Sequence, residues 1–309
     1  MRVSESEDEV RLYVGTLHTI ENEFEECVAA IHRQAHRNFK HFVFSGLGNE
    51  ESHAALFGDF ASKRDRFDLM VKIDADMVIQ NEHLFEKIEA QFLRTDLKVL
   101  SIAVHDWFSD RLISGLNTYR NDISWRGDEG KLFVDSVQVL ENERELDWDH
   151  LAPAALHCPN PSPFQAFHFG LHKAMKVLQP FEQDVSRKRF RMREHCDNIT
   201  ETARHFERSG DRRLGLAVLG AELAFTGCFD AEHVSYNHPE TRQVFSRYGD
   251  LGVGELAKEI RRLRWRSGGW LPSNMRRAWL WYRFRRKHAS LYALRTLAAD
   301  VFVPPRTRL

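Results

Sequence analysis

Short apolar runs alternate with amphipathic stretches along the first third of the chain. Four apolar runs of strand length predict β-strands, at residues 10–15, 41–44, 68–73 and 97–104. Three stretches with apolar side chains at helical spacing separate them and predict α-helices, at residues 21–35, 52–60 and 81–94. This alternation predicts an α/β fold, with a mostly parallel sheet and helices on both faces.

The periodicity changes after this region. It is indistinct over residues 104–125, and residues 132–140 then alternate with period two, which predicts a further strand. A proline-bearing loop follows at residues 152–163. The sequence Ser-Pro-Phe-Gln at the end of this loop is a capping box with proline in the first helical turn, and it predicts a helix to about residue 178.

The second half of the chain is predicted to be mainly helical. Residues 187–225 are charged and helical in pattern, and Pro180 marks a soft boundary before them. We therefore predict two domains. Residues 1–180 hold the sheet and the candidate chemistry, and residues 181–309 form a helical, basic C-terminal region.

Two carboxylates interrupt the third predicted strand, which reads FDLMVKIDADMVIQNE at residues 67–82. Because an unpaired buried carboxylate is costly, we predict that the strand ends near Ile73 and that Asp74 and Asp76 lie in a turn at its carboxyl end. Open α/β sheets bind ligands at that edge, and two oxygen donors there suit Mg²⁺ or Mn²⁺. The alternative is a surface turn with two solvated acids.

Composition places the chain among ordinary globular proteins. Of its 309 residues 42% are apolar and 29% charged, and the net charge is −1. Its four cysteines are widely spaced without a C-x-x-C pair, so neither a zinc knuckle nor a disulfide framework is indicated. The sequence has no apolar run of membrane-spanning length and no signal-peptide core, so we expect a cytoplasmic protein.

The order of these segments over residues 10–178 resembles the nucleotide-binding half of the GT-A glycosyltransferases, especially the large inverting family that makes bacterial polysaccharides. Gln34 and the pair Asn38-Phe39 match that family's first helix and second strand, and KIDADMVI matches its D-x-D strand. The chain departs from the family in two places. Ser45-Gly46 replaces an acidic pair that reads the nucleotide base, and Gly15-Thr16-Leu17-His18 replaces a proline turn.

The resemblance implies a metal-dependent transferase that uses a nucleotide-sugar donor and releases a nucleoside diphosphate. It implies that Asp76 binds Mn²⁺ or Mg²⁺ most directly, and that Asp74 touches the ribose or a metal-bound water. Thr16, Gly46 and Lys72 are the further candidates for nucleotide binding. A divalent cation would stabilise the charge that grows on the diphosphate as the glycosidic bond breaks.

A histidine later in the chain often completes the metal site in enzymes of this kind. His157 is the first candidate because it lies in an irregular loop after a strand, where functional sites concentrate. As a ligand it would need an acceptor for its other ring nitrogen. His168 and His172 are the alternative, since their i, i+4 spacing on the next helix can share a ligand. His172 with Lys173 and Lys176 could instead form a cationic helix face near the diphosphate.

An inverting transferase also needs a general base for the acceptor hydroxyl. Asp135, within an apolar strand pattern, occupies a place comparable to the family's base, and Asp106 beside Trp107 is the second candidate. A paired structural acid is the alternative for Asp135. The segment with Asn117, Tyr119 and Arg120 could line the donor or acceptor side. A retaining enzyme would need no such base.

Residues 261–299 contain no acid, ten arginines and four of the seven tryptophans. Arginine with interfacial aromatics is typical of a segment that lies on an anionic membrane, which would suit a lipid-linked acceptor. The alternatives are a helix pair that packs against the rest of the protein and, less favoured, a nucleic-acid-binding segment.

We therefore predict a hexosyltransferase-type, inverting enzyme that transfers sugar to a glycan or lipid-linked acceptor in cell-envelope polysaccharide synthesis. A nucleotidyltransferase is disfavoured because the glycine-rich phosphate loop is missing after the first strand. A non-catalytic GT-A-like module that binds a nucleotide or serves as a scaffold is the alternative from another functional class.

Overall fold

Three of the four apolar runs, at residues 10–15, 68–73 and 97–104, become strands that are buried on both faces, as a parallel sheet covered by helices requires. The run at residues 41–44 becomes a partly exposed strand at the edge of the sheet. The computed structural model describes residues 10–125, 137–178, 185–229, 232–269, 276 and 279–280. These residues form two compact units that divide between Ser162 and Pro163. The helix after Pro163 thus belongs to the second unit, whereas the sequence-based boundary near Pro180 includes it in the first domain.

The first unit is built on a curled, mixed sheet. Its strands are β1 Leu12–His18, β2 Phe39–Ser45, β3 Leu69–Asp74, β4 Met77–Ile79, β5 Val99–Asp106, β6 Arg111–Arg120, β9 Arg144–Asp147 and β10 Ala155–His157. Strands β7 Ser124–Trp125 and β8 Val137–Gln138 pair separately. The sheet order is β2-β1-β3-β6-β5-β10-β4, with β9 also on β5, and only β6 and β4 run antiparallel to their neighbours.

Helices cover both faces of this sheet, as predicted. They are α1 Phe24–His32, α2 Asn49–Ala61 and α3 Leu84–Arg94. Alternate residues of β1 reach different cores: Leu12 packs in the cluster that contains the buried residues of α1 and α3, and Tyr13 packs in the cluster that contains those of α2. The period-two alternation of strand side chains produces this division. The predicted α/β fold with a mostly parallel sheet is confirmed.

The indistinct region at residues 104–125 contains a long strand, β6, inserted between β3 and β5. Its pattern is mixed because it carries polar residues, such as Asn117 and Thr118, within a central strand. Ser101 on β5 donates to the Asn117 side chain at 2.6 Å. The loop predicted at residues 152–163 contains the short strand β10, and the strand predicted at 132–140 is described only from residue 137 onward.

The second unit is helical, which confirms the prediction of a helical C-terminal region. Its helices are α4 Pro163–Leu178, α5 Val185–Ser209, α6 Arg212–Phe225, α7 Pro239–Ser246 and α8 Val253–Arg266. The backbones of α4 and α6 touch: a Cβ added to Gly170 would lie 1.7 Å from the Ala217 carbonyl oxygen. Within the described ranges, no helix combines the length and apolarity needed to cross a bilayer.

Candidate functional site

The carboxyl ends of the first three strands lie side by side. In register, His18 at the end of β1 pairs with Ser45 at the end of β2, and Leu17 pairs with Asp74 at the end of β3. The chain then turns at Ala75, whose amide donates to the Leu17 carbonyl at 3.0 Å. The acid pair therefore lies at the edge where α/β sheets bind ligands.

Strand β10 brings His157 to this turn. His157 pairs with Asp106, the last residue of β5, on one side and with Met77, the first residue of β4, on the other. The Cys158 amide then donates to the Asp76 carbonyl at 2.7 Å. These backbone pairings join the ends of three strands that are distant in sequence.

Three potential metal-binding side chains converge here: Asp76, His157 and Cys158. The Asp76 Oδ2 to His157 Nε2 distance is 3.5 Å. The Cys158 Sγ atom lies 3.1 Å from Asp76 Oδ2 and 3.7 Å from His157 Nε2. Within the described part of the chain, this is the group of His, Cys and acidic residues that could hold a metal ion.

A buried carboxylate fixes the other side of the His157 ring. His157 Nδ1 donates to Asp106 Oδ1 at 2.7 Å, and the second oxygen of Asp106 accepts from the Ser109 amide at 2.8 Å and hydroxyl at 2.5 Å. Asp106 is fully buried. The acceptor required for a ligand histidine is therefore present, and Nε2 is directed toward Asp76.

The charges of this site shift the pKa values of its side chains strongly. Burial alone would lower the pKa of His157, but the carboxylates of Asp76 and Asp106 outweigh it and raise that pKa to about 10. Burial opposes ionisation of Asp76 as well, yet the His157 imidazolium lowers its pKa to about 2. Burial and the Asp76 carboxylate raise the pKa of Cys158 well above its ordinary value. A positive charge is therefore favoured between these groups.

The residues present fit a divalent cation. Asp76 Oδ1 is buried and accepts no hydrogen bond among the described residues, which is unusual for a buried carboxylate oxygen. Carboxylate, imidazole and thiol groups are all ligands of first-row divalent metals. The candidate donors are therefore Asp76, His157 and Cys158.

Asp74 is engaged elsewhere. Its Oδ1 accepts from Lys72 Nζ at 2.7 Å, and the side chain of Lys72 is only 4% exposed whereas that of Asp74 is 37% exposed. Asp74 thus neutralises a buried lysine and faces solvent at the strand edge, and it is not a member of the metal-binding group.

The other predicted nucleotide-binding residues lie on the neighbouring strand ends. Thr16 is buried, and its hydroxyl lies 2.9 Å from His41 Nε2 on β2. Gly46 follows β2 with φ of +74°, a backbone conformation that favours glycine, and its amide donates to the His18 carbonyl at 2.9 Å. Both residues shape the strand ends through internal contacts.

His168 and His172 lie on α4 in the second unit, and neither belongs to the metal-binding group. His168 Nε2 is 2.5 Å from the Val234 carbonyl, and its ring stacks on Tyr236 at a centroid distance of 3.7 Å. Burial lowers the pKa of His168 to about 4. These contacts are those of a satisfied core histidine.

The remaining predictions for the first unit concern β6 and the segment before β8. Tyr119 is a core residue, and Arg120 donates to the main-chain carbonyls of Leu97 and Phe92 at 2.8 and 3.0 Å, so both support the fold. Asp135, the first candidate for the general base, lies outside the described residues.

Sequence reasoning missed Cys158. The only signal was its position directly after His157, because its contact with Asp76 depends on the pairing of β10 with β4. Cys158 has φ of +50°, which is uncommon for a non-glycine residue. Residues of this kind concentrate at functional sites.

The segment between β1 and α1 was also missed. The Glu23 side chain is buried and accepts from the Asn160 amide at 2.9 Å, so it holds the loop that carries Cys158. Burial, reinforced by the Asp76 charge, raises the pKa of Glu21 to about 7. This segment therefore adds two acids close to the candidate metal site.

The described part of the basic C-terminal segment is anchored within the second unit. Glu222 on α6 is fully buried and accepts from Arg264 Nε at 3.1 Å, from Ser267 Oγ at 2.8 Å and from Arg276 Nη2 at 2.5 Å. Trp265 on α8 is nevertheless 73% exposed. Internal packing thus accounts for some of these arginines.

Comparisons with known proteins identify no family. No known family profile matches the chain, and no curated protein matches its sequence. Among solved structures, it is similar to the mannosyltransferase PcManGT from Pyrobaculum calidifontis in complex with GDP-Man and Mn²⁺, with 10% identity over 94% of this chain and 87% of that one and a TM-score of 0.31. A TM-score this low does not establish a common fold, so the α/β assignment rests on the sheet topology.

Proposed function

We propose that this chain is a divalent-metal-dependent glycosyltransferase of the GT-A type, which moves a sugar from a nucleotide-sugar donor to an acceptor hydroxyl. One observation carries the proposal. Asp76 and His157, predicted separately as metal ligands, lie 3.5 Å apart at the carboxyl edge of the sheet, and Asp106 holds the far side of the imidazole.

Asp76 and His157 would hold Mn²⁺ or Mg²⁺. The cation, when bound, supplies positive charge to the diphosphate leaving group as the glycosidic bond breaks. Asp106 acts as a positioning residue, because its buried carboxylate keeps Nδ1 of His157 protonated and directs Nε2 toward Asp76. This role replaces that of general base, since both Asp106 oxygens already accept hydrogen bonds inside the protein.

The donor would lie across the ends of β1, β2 and β3. Asp74 would contact the ribose or a metal-bound water, and its partial exposure at the strand edge supports this role. The buried Lys72 ammonium neutralises Asp74, and Thr16 and Gly46 shape the adjoining strand ends. The general base of an inverting reaction remains assigned to Asp135.

The acceptor is proposed to be a glycan or a lipid-linked glycan of the cell envelope, reached at the inner face of a membrane. Support comes from the outer face of α8, where Trp265 is 73% exposed and Arg261 and Arg266 are also exposed. Arginine beside an exposed tryptophan favours peripheral contact with anionic lipid.

Hydrolysis and transfer of a panel of nucleotide sugars, with and without Mn²⁺, test the proposal. We expect slow turnover of one donor that requires the metal and falls at least about 100-fold in Asp76→Asn, because a principal source of leaving-group stabilisation is removed. Asp65→Asn, which changes an exposed acid of the same unit, is the matched control and should retain full activity.

Two results would contradict the proposal in different ways. Metal-independent turnover that survives Asp76→Asn would exclude the metal role. Tight, metal-dependent nucleotide binding measured by calorimetry, with no turnover on any donor and acceptor, would instead support the non-catalytic module.

A further inference from the structure

The metal-binding group contains a sulfur atom that the glycosyltransferase proposal does not use. Cys158 Sγ, His157 Nε2 and Asp76 Oδ2 form a triangle with sides of 3.1, 3.5 and 3.7 Å. The thiol is held in place by the backbone, since the Cys158 amide donates to the Asp76 carbonyl and its φ is +50°. The triangle is therefore a built feature of the turn.

These distances match one face of a tetrahedral metal site. With Zn–S of about 2.3 Å and Zn–N or Zn–O of about 2.0 Å, the edges of such a site are about 3.5 Å from sulfur to nitrogen or oxygen and about 3.3 Å between nitrogen and oxygen. Three protein ligands with an open fourth position are typical of catalytic rather than structural sites. An ion can thus bind all three atoms with shifts of a few tenths of an ångström.

A cysteine nucleophile is the competing interpretation. Cys158, His157 and Asp106 follow one another as a thiol, a base and an acid that orients the base. The Asp76 carboxylate argues against it, because an acceptor 3.1 Å from the sulfur opposes a free thiolate. A bound dication would instead replace the thiol proton as the group that joins Sγ to that carboxylate.

We propose that Cys158 is a thiolate ligand of this site, and that the site therefore selects a borderline or soft divalent cation such as Zn²⁺ or Co²⁺ over Mg²⁺. The inference rests on the metal-dependent function proposed above and makes it more specific. Thiolate ligands favour such metals, whereas Mg²⁺ prefers oxygen ligands in octahedral geometry.

Cobalt binding to the full-length chain, freed of metal by a chelator, tests the inference without an activity assay. We expect one equivalent of Co²⁺ to give a near-ultraviolet thiolate-to-cobalt charge-transfer band. Zn²⁺ should abolish this band at equimolar concentration, whereas Mg²⁺ should leave it unchanged at about 100-fold excess. Cys158→Ser should lose the band and bind Co²⁺ at least about 10-fold more weakly.

Two cysteine variants are matched controls and should keep the band. Cys27→Ala removes a buried thiol of the same unit, and Cys228→Ser removes an exposed thiol of the other unit. If Cys158→Ser folds poorly, X-ray absorption of the zinc-loaded wild-type protein shows without that variant whether sulfur binds the metal. A sulfur shell at about 2.3 Å supports the inference, and nitrogen and oxygen alone at about 2.0 Å overturn it.

The outcomes separate this inference from the proposed function. One outcome overturns the thiolate ligand and leaves the metal-dependent function standing. In that outcome Co²⁺ binds wild type and Cys158→Ser with equal affinity, gives no charge-transfer band, and no longer binds Asp76→Asn. Absence of Co²⁺, Zn²⁺ and Mn²⁺ binding in wild type overturns both.

Discussion

At the scale of single residues, the site depends on where each charge finds its partner. Asp74 and Asp76 have nearly the same sequence environment, but one neutralises Lys72 and the other faces His157. Ala75 lies between the two acids in the chain. Its amide donates to a main-chain carbonyl of β1, and this bond separates the two carboxylates. Acids with similar sequence environments thus have different partners.

Replacing Asp106 by Asn tests whether it positions His157. The variant keeps the shape of the side chain but removes the carboxylate that holds Nδ1, so we expect affinity for Mn²⁺ or Co²⁺ to fall about 10- to 100-fold in calorimetry. Ser109→Ala leaves the hydrogen bond between Asp106 and His157 intact, so we expect it to lower the metal affinity less than Asp106→Asn does. Unchanged affinity in Asp106→Asn would contradict the positioning role.

The pair of Lys72 and Asp74 should respond asymmetrically to substitution. Asp74→Ala removes a charged hydrogen-bond partner of a nearly buried ammonium, so we expect a loss of about 2 kcal/mol in the free energy of unfolding. Lys72→Met leaves a carboxylate that water can reach and should cost less than about 1 kcal/mol. Urea unfolding without metal measures both, and the double variant should resemble Lys72→Met. A larger loss in Lys72→Met than in Asp74→Ala would refute this reasoning.

At the scale of elements, strand pairing assembles the site and glycine contacts assemble the helical unit. Strand β10 is three residues long, too short to be recognised from periodicity, yet it carries His157 to both β4 and β5. The α4 and α6 helices touch because Gly170 and Gly220 lack side chains. Both features depend on neighbours that are remote in sequence.

Gly170→Ala should strongly destabilise the helical unit. Its Cβ would lie 1.7 Å from a main-chain oxygen of α6, and backbone cannot move aside as a side chain can. We expect a loss of about 3 kcal/mol in chemical unfolding, the upper end for overpacking. Gly254→Ala on α8 is the control, because nothing lies within 4 Å of the added carbon, and its stability should be unchanged or slightly higher. Equal stabilities would show that the two helices can separate at little cost.

At the scale of the whole molecule, buried histidines make stability depend on pH. Burial lowers the pKa of His168 from 6.5 to about 4 in the folded state. The unfolded chain therefore takes up a proton first as the pH falls below about 6.5. The stabilisation from neutral His168 is complete above that pH and is lost as the pH falls toward 4. His172 acts in the same direction, since burial also lowers its pKa.

Urea unfolding between pH 7.5 and 4.5 measures this dependence. We expect His168 to account for a loss of up to about 3 kcal/mol over the full window. His168→Gln, which can still donate to the Val234 carbonyl, should lose correspondingly less stability on acidification even if it is less stable at pH 7.5. Parallel pH profiles for the two proteins would exclude His168 as the cause.

The sequence by itself determined the α/β class, the order of strands and helices through α3 apart from the short strand β4, and the placement of the acid pair at a strand end. The first two features depend on local periodicity. The third follows because unpaired carboxylates are costly inside a buried strand and are therefore expected at its end. It also made His157 a candidate metal ligand, and the chemistry of such a ligand required an acceptor for its other ring nitrogen.

Only the tertiary structure decided which groups meet. The strand order places β6 between β3 and β5, and β10 between β5 and β4, so that Asp106, His157 and Cys158 reach the turn that carries Asp76. Sequence periodicity reports which face of an element is buried, whereas pairing between remote strands depends on the whole sheet. For that reason Asp106 was predicted as a base rather than as the residue that holds His157, and the contacts of Cys158 with Asp76 and His157 became visible only in the assembled sheet.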